Sequence, residues 1–458
     1  MDNTQPVVTS ELWNTSEDIV RSYRTAPCLT VAWHPDSSAI GRQILLRPGR
    51  SIILGRGAMD LGEGMLEDRR LSRRHVEISI ARTTVHVRDL LSLNGTQVNG
   101  QNTTAEVLLQ PGDRLQLGPV TFLFHHSLPE HMRPNHRHLV GHSAAIAAVV
   151  QAIDVVAPYE TTVLVRGESG TGKELIARSL HEESGRRGPF LQVNCGGLSD
   201  TLLQSELFGH TKGAFSGAGR DRQGLFQAAE GGTLLLDEIG DASPRLQAAL
   251  LRVLQEGEVR PVGSNQVRHV DTRIVAATHR DLEAMVAAGE FREDLYARLS
   301  GWTLELPPLR ERPEDIIPLA LHFARQARAA EGLSRSLAER LLTHDWPRNV
   351  RELEMVVRRC AIESSGRSSI RLSGAVARGL RPTRPGQAVV PDSVSGAGRT
   401  PMDADGLRKL LVESRGNMKR VAMALGVART TAYRWVKSAG LDVDDFRRGG
   451  EETCLDFG

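Results

Sequence analysis

Gly167-Glu168-Ser169-Gly170-Thr171-Gly172-Lys173-Glu174 follows the strand pattern Thr161-Thr162-Val163-Leu164-Val165-Arg166 and opens a helical pattern. A strand running through a glycine-rich turn into a helix is the setting in which G-x4-G-K binds nucleotide phosphate. The glycines let main-chain N–H groups face the phosphates, the helix N-terminus favours negative charge, and Lys173 reaches the outer phosphates. Glu174 stands where generic loops of this kind carry the Ser or Thr that holds magnesium.

Downstream, Leu234-Leu235-Leu236 reads as a buried strand ending in Asp237-Glu238. An acidic pair at the C-terminal end of a parallel strand lies where such sheets bind ligands. Asp237 is expected to hold Mg2+ and its water, and Glu238 to orient the water that attacks the γ-phosphate of ATP. Around these motifs, from 139 to 375, strand and helix patterns alternate, including a helix opened by Ser243-Pro244 and the strand pattern Thr272-Arg273-Ile274-Val275-Ala276-Ala277-Thr278. That alternation predicts an α/β domain with a parallel sheet.

The flanks differ in kind. Residues 29–127 carry short alternating runs such as Val76-Glu77-Ile78-Ser79-Ile80, with turn signals Asn94-Gly95, Asn99-Gly100 and Pro111-Gly112. They predict a small β-sandwich behind an N-terminal extension, 1–28. Residues 125–138 hold five histidines and two prolines without periodicity. They read as a solvated stretch rather than a metal site, with the linker proper at 128–138. A Pro-, Gly- and Ser-rich tether, 376–402, leads to helical periodicity over 403–445 and a tail, 446–458.

With 458 residues, 40% hydrophobic and 24% charged, the chain suits about three soluble domains. A formal charge of +2 leaves nucleic-acid binding to a local patch. Cys28, Cys195, Cys360 and Cys454 are far apart and form no CxxC pair. They suggest neither zinc nor a disulfide framework, and a reducing cytoplasm is expected. The polar N-terminus and short apolar runs argue against secretion and a membrane span.

GESGTGKE and GGTLLLDE, together with Gly213-Ala214-Phe215-Ser216-Gly217-Ala218, make 139–375 resemble the AAA+ domain of sigma-54-dependent activators, the bacterial enhancer-binding proteins. That family carries Glu after the lysine. Its GAFTGA loop contacts sigma-54, and Ser216 stands here where the family usually has Thr. The resemblance further implies that Asn194 is a switch holding Glu238, and that Arg292 and Arg298 are fingers reaching a neighbouring subunit's nucleotide. His279 occupies the first sensor position, where many relatives have Asn. Arg351 corresponds to the second sensor, with Arg348 in place of the usual glycine before Asn349. A homo-oligomeric ring, hexamer or heptamer, is implied.

The N-terminal sandwich resembles a forkhead-associated (FHA) domain through Gly55-Arg56, Leu71-Ser72-Arg73-Arg74-His75 and Asn94-Gly95-Thr96. The resemblance implies that Arg56, Ser72, Arg73 and Asn94 ligate a phosphothreonine protein or peptide of a Ser/Thr kinase pathway, and that His75 braces the loops. Residues 416–437 resemble a Fis-type helix-turn-helix. Ala432, Trp435, Val436 and Ala439 fall at core spacing, which leaves Arg429, Thr430, Tyr433, Arg434 and Lys437 outward for double-stranded DNA. The whole is expected to be a multidomain activator of sigma-54 RNA polymerase: β-sandwich, α/β P-loop ATPase with helical lid, and all-α DNA-binding module. A repressor or sigma-70-type regulator that keeps the ATPase fold without sigma-54 activity is the alternative.

Overall fold

The computed structural model describes residues 25–380 except 59–65, 82–83, 104, 128–135, 217 and 328–331, and, near the C-terminus, 404–414, 421, 425, 435–436, 439 and 441.

Strands β1 (Ala26–Trp33), β2 (Gln43–Leu45), β3 (Ser51–Leu54), β4 (Val76–Ala81), β5 (Thr84–Asp89), β6 (Thr96–Val98), β7 (Gln101–Asn102), β8 (Val107–Leu109), β9 (Arg114–Leu117) and β10 (Val120–Ser127) form the sandwich. One sheet runs β2-β1-β10-β9-β6-β7 and the other β3-β4-β5-β8. Alternate residues, among them Leu29, Val31, Ile78, Val87, Phe122 and Phe124, fill the space between the sheets. Strand β10 extends through His125 and His126, so these two belong to the sandwich and not to a solvated stretch. His125 is buried, and its Nε2 lies within hydrogen-bond distance, 2.6 Å, of Thr30 Oγ1 on β1.

Beyond residue 139 the elements are α1 (Ala144–Val156), β11 (Val163–Arg166), α2 (Lys173–Glu183), β12 (Phe190–Asn194), α3 (Asp200–Phe208), the pair β13 (Gly209–His210) and β14 (Arg222–Gln223), α4 (Leu225–Ala228), β15 (Thr233–Asp237), α5 (Pro244–Glu256), the pair β16 (Glu258–Val259) and β17 (Arg268–His269), β18 (Arg273–Thr278), α6 (Leu282–Ala287), α7 (Glu293–Leu299) and β19 (Trp302–Glu305). The sheet runs β12-β15-β18-β11-β19, all neighbours parallel. Parallel sheets are covered on both faces, which explains the uninterrupted apolar runs. One face packs Leu207, Phe226, Leu246 and Leu295, and the other packs Ile153, Ile176 and Leu180.

The lid consists of α8 (Ile316–Gln326), α9 (Arg335–Thr343), α10 (Asn349–Glu363) and α11 (Gly374–Gly379) around Trp346, Leu337, Leu353 and Val357. In the separate C-terminal unit, α12 (Ala404–Glu413) places Leu407 and Leu411 with Val421 and Val436, and Trp435 and Ala439 pack against them. The predicted core spacing of Trp435, Val436 and Ala439 is therefore observed. Ala432 and the five DNA-facing candidates, Arg429, Thr430, Tyr433, Arg434 and Lys437, lie outside the described residues. No described helix is long and apolar enough to cross a membrane.

Candidate nucleotide and phosphate sites

The loop 167–174 wraps the N-terminus of α2, and Gly167, Gly170 and Gly172 all take positive φ. Gly170 has a second reason to lack a side chain: a Cβ there would sit 2.3 Å from Arg348 O. Lys173 is buried, and its Nζ donates to Gly167 O at 2.9 Å and to Glu168 O at 3.4 Å. A cavity of about 630 Å³ opens beside the loop, lined in part by Gly167, Glu168, Thr278, His279, Leu306 and Pro308. Thr171 closes the turn onto Glu168 O, and Glu174 is an exposed partner of Arg178.

The acidic pair at the end of β15 splits into two environments. Asp237 keeps strand geometry and accepts from Glu238 N–H. Burial, then the Glu238 carboxylate, raises its pKa above the ordinary range. Glu238 sits at φ 51°, a left-handed conformation rare outside glycine, asparagine and aspartate. Its Oε1 lies 3.7 Å from Lys173 Nζ, and its Oε2 lies 2.6 Å from His279 Nδ1.

That last contact corrects one expectation. Asn194 does not hold Glu238: its Oδ1 accepts from Gly196 N–H. The register explains why. Asn194 lies opposite Asp237 across β12 and β15. One residue later, the left-handed turn at Glu238 carries its side chain to the other neighbour, β18, where His279 follows Thr278. His279 therefore takes the partner expected for Asn194.

Two residue sets escaped the sequence reading. Arg310 forms a forked pair with Glu168 at 2.6 and 2.9 Å, and this pair, then Asn349, lowers the pKa of Glu168. Arg312 donates to Thr171 O, and the buried Asn349 donates to Glu168 and Ser169 O while accepting from Leu309 N–H. Asn349 has φ 53° at the start of α10, a conformation asparagine adopts more readily than most residues. Its place beside Arg348 was the only sequence clue. Arg351 packs against Gly170 by its backbone N–H and Cβ. Arg292 and Arg298, at the two ends of α7, are exposed, and Arg292 pairs with Asp294.

The Gly213–Ala218 segment forms a tight turn between β13 and β14, with Gly213 N–H donating to Ala218 O and Ala218 N–H to Phe215 O. Ser216 is exposed, Phe215 rests edge-on against His210, and Gly217 is not described. The base is braced by the neighbouring hairpin, because Thr211 N–H donates to Val262 O and Val262 N–H to Gly209 O.

In the sandwich, Arg56, Ser72, Arg73 and Asn94 come together at one loop end. Arg56 N–H donates to Ser72 O, Leu93 N–H donates to Ser72 Oγ, and Asn94 Nδ2 donates to Arg70 O. Gly55 is required there, since a Cβ would lie 2.4 Å from Arg73 O. Fully buried His75 accepts from Ser72 N–H at Nδ1, which leaves Nε2 to donate to Gly95 O. It braces the loops as expected.

Residues 139–305 match the sigma-54 interaction domain, 310–374 the AAA+ ATPase lid domain and 40–118 the FHA domain. The transcriptional regulatory protein ZraR of Klebsiella oxytoca is 52% identical over 234 residues, which cover 50% of this chain and 53% of that protein. Transcriptional regulatory protein GlrR of Escherichia coli K12 is 44% identical over 315 residues, 68% of this chain and 69% of that protein. The chain thus spans about half of the first relative and just over two thirds of the second. Among solved structures, NtrX from Brucella abortus aligns at 32% identity over 66% of this chain and 69% of its own, with a TM-score of 0.48. The chain belongs to the sigma-54-dependent transcriptional regulators and joins an FHA domain to an AAA+ ATPase domain.

Proposed function

We propose that this regulator is an ATP-driven activator: its C-terminal helix-turn-helix holds it on double-stranded DNA upstream of a promoter, its ATPase domains assemble into a ring, and hydrolysis drives the Gly213–Ala218 turns against sigma-54 RNA polymerase. The FHA domain gates this output by binding a phosphothreonine protein through Arg56, Ser72, Arg73 and Asn94. The observation that supports the reading best is the Gly213–Ala218 turn, which offers the Ser216 side chain to solvent while its base is hydrogen-bonded to a second hairpin of the same ATPase domain. Movement at the base would be carried to the tip.

The nucleotide site fits ATP with Mg2+. Asp237 and Glu238 stand at the end of β15 beside the phosphate loop, with Glu238 Oε1 3.7 Å from Lys173 Nζ. Among the described residues no group of three His, Cys, Asp or Glu side chains could hold a metal, so phosphate and water would complete the shell around Asp237, as Mg2+ prefers. Mg2+ supplies neutralisation of charge on the phosphates. Lys173 and the N-terminus of α2 hold the phosphate chain, with Lys173 leaving Gly167 O to do so. Glu238 takes a proton from the attacking water once His279 releases its carboxylate. Arg292 and Arg298, exposed on α7, are offered to a neighbouring subunit's nucleotide.

In vitro transcription from a sigma-54 promoter with wild type and Ser216→Ala tests the reading. ATP turnover unchanged with open-complex formation lost supports it. Open complexes unchanged in Ser216→Ala, or wild type unable to bind sigma-54, would overturn it.

A further inference from the structure

The outward face of β1 and β10 breaks the alternation expected of a sandwich sheet. Thr30, Ala32, Thr121, Leu123 and His125 point away from the sandwich core, yet none is more than 7% exposed. The lid packs on part of this face. Ala32 and Leu123 belong to the same apolar cluster as Leu337 and Leu341 of α9, and Trp33 packs against that cluster. The Trp33 indole donates to Leu333 O at 2.8 Å across 300 residues of chain. Arg114 on β9 donates to Glu339 O at 3.4 Å. The Thr121 hydroxyl on the same face is buried without a hydrogen-bond partner among the described residues.

Contacts continue in both directions from this junction. Toward the peptide loops, Arg335 at the start of α9 donates to Gly118 O at 3.4 Å. Gly118 lies against Arg70 and Leu71, where a Cβ would sit 3.2 Å from Arg70 O. Arg70 O is also the acceptor for Asn94, and Ser72 and Arg73 follow it in sequence. Toward the nucleotide, the segment 310–315 joins three elements, the nucleotide loop, β10 and α1. Arg310 meets Glu168, Arg312 meets Thr171 O, Glu314 lies 3.9 Å from His125, and Asp315 caps α1 at Ser143.

The geometry points to the β1/β10 face as a docking surface for the chain's own ATPase lid, through which the phosphothreonine loops and the nucleotide loop exchange binding free energy. This rests on the phosphothreonine reading above. Coupling of this kind is reciprocal: if peptide changes nucleotide affinity, nucleotide changes peptide affinity by the same factor.

The test uses the full chain, a degenerate phosphothreonine peptide library with its unphosphorylated counterpart, and ADP. Wild type should bind the phosphorylated library with an affinity that changes at least about fivefold when ADP is added. The double variant Trp33→Phe/Arg335→Ala removes two cross-domain donors, keeps an aromatic ring, and touches neither binding site. It should bind both ligands with the ADP effect lost. Peptide affinity indifferent to ADP in the wild type overturns the coupling and leaves the phosphothreonine reading intact. If no phosphorylated peptide binds, that reading fails, and docking is judged by ADP affinity alone: a shift in the double variant supports it, and no shift overturns it.

Discussion

At Gly167–Glu174 the groups proposed to meet phosphate are main-chain N–H groups and one buried ammonium, whereas around Arg56, Ser72, Arg73 and Asn94 the proposed groups are mostly side chains at an exposed loop end. The first arrangement is held by backbone conformation and by a lid residue whose carbonyl would meet any side chain added at Gly170. The second is held by loop-to-loop hydrogen bonds and the buried brace His75. Backbone cradles depend on sequence through φ and packing, so they tolerate few substitutions but feel little salt. Side-chain cradles lose affinity residue by residue and are screened.

Glu238→Gln should separate binding from turnover at the first site. ATP hydrolysis is expected to fall by roughly 10² to 10⁴-fold, the usual contribution of a general base, with nucleotide still bound. Steady-state turnover beside nucleotide titration checks this, and wild-type turnover in the variant would remove Glu238 from the mechanism. At the second site, Arg73→Ala should weaken phosphothreonine-peptide binding by roughly ten- to a hundredfold through loss of a charged hydrogen bond, with ATP affinity unmoved. Titration calorimetry at two salt concentrations would read both, and a salt-insensitive peptide affinity would erase the contrast between the two cradles.

Gly170→Ala tests the backbone side of the comparison. With φ at 79° and Arg348 O in the way, the methyl must displace the lid or the loop. Nucleotide affinity should drop about tenfold. Affinity equal to wild type would show that the lid yields without cost.

The smallest expected effect lies between the two sites. Burial, then the Asp315 charge, pushes the Glu314 carboxyl up to about 8, with Arg312 and His125 as its other charged or titratable neighbours. A carboxyl whose folded pKa is raised contributes stability below its ordinary pKa and loses it as pH climbs toward the folded value. The wild type is therefore penalised increasingly between about pH 4.5 and 8, and Glu314→Gln is not. Thermal melts should show the variant gaining a few degrees over wild type at pH 8 and much less at pH 5. An equal difference at both pH values would mean the carboxyl does not titrate in that window.

What the sequence revealed follows from how local each feature is. The strand–loop–helix at 163–183 and the acidic end of β15 are contiguous in sequence, and both could be read directly. The FHA loops were legible because their motifs come in fixed order within one small domain. The partner of Glu238 was not, because the choice between Asn194 and His279 depends on one left-handed residue between two strands. Alternation on β10 identified its inward residues, but nothing local marks the outward face as packed in part against a lid two hundred residues away. Arg310 and Arg312 look like surface charges until their partners on the nucleotide loop are seen.

The spacing of residues 310–315 also bears on how this protein can change over evolutionary time. Arg310 and Arg312 face the nucleotide loop, Glu314 faces the sandwich at His125 and Asp315 caps α1, so exchanging one side chain alters one connection and leaves the others. Inserting or deleting a single residue shifts every side chain after the change to a new direction and misplaces several connections at once. Descendants of this chain are expected to vary here by substitution at constant length, while length changes accumulate in the Pro- and Gly-rich stretch after residue 380.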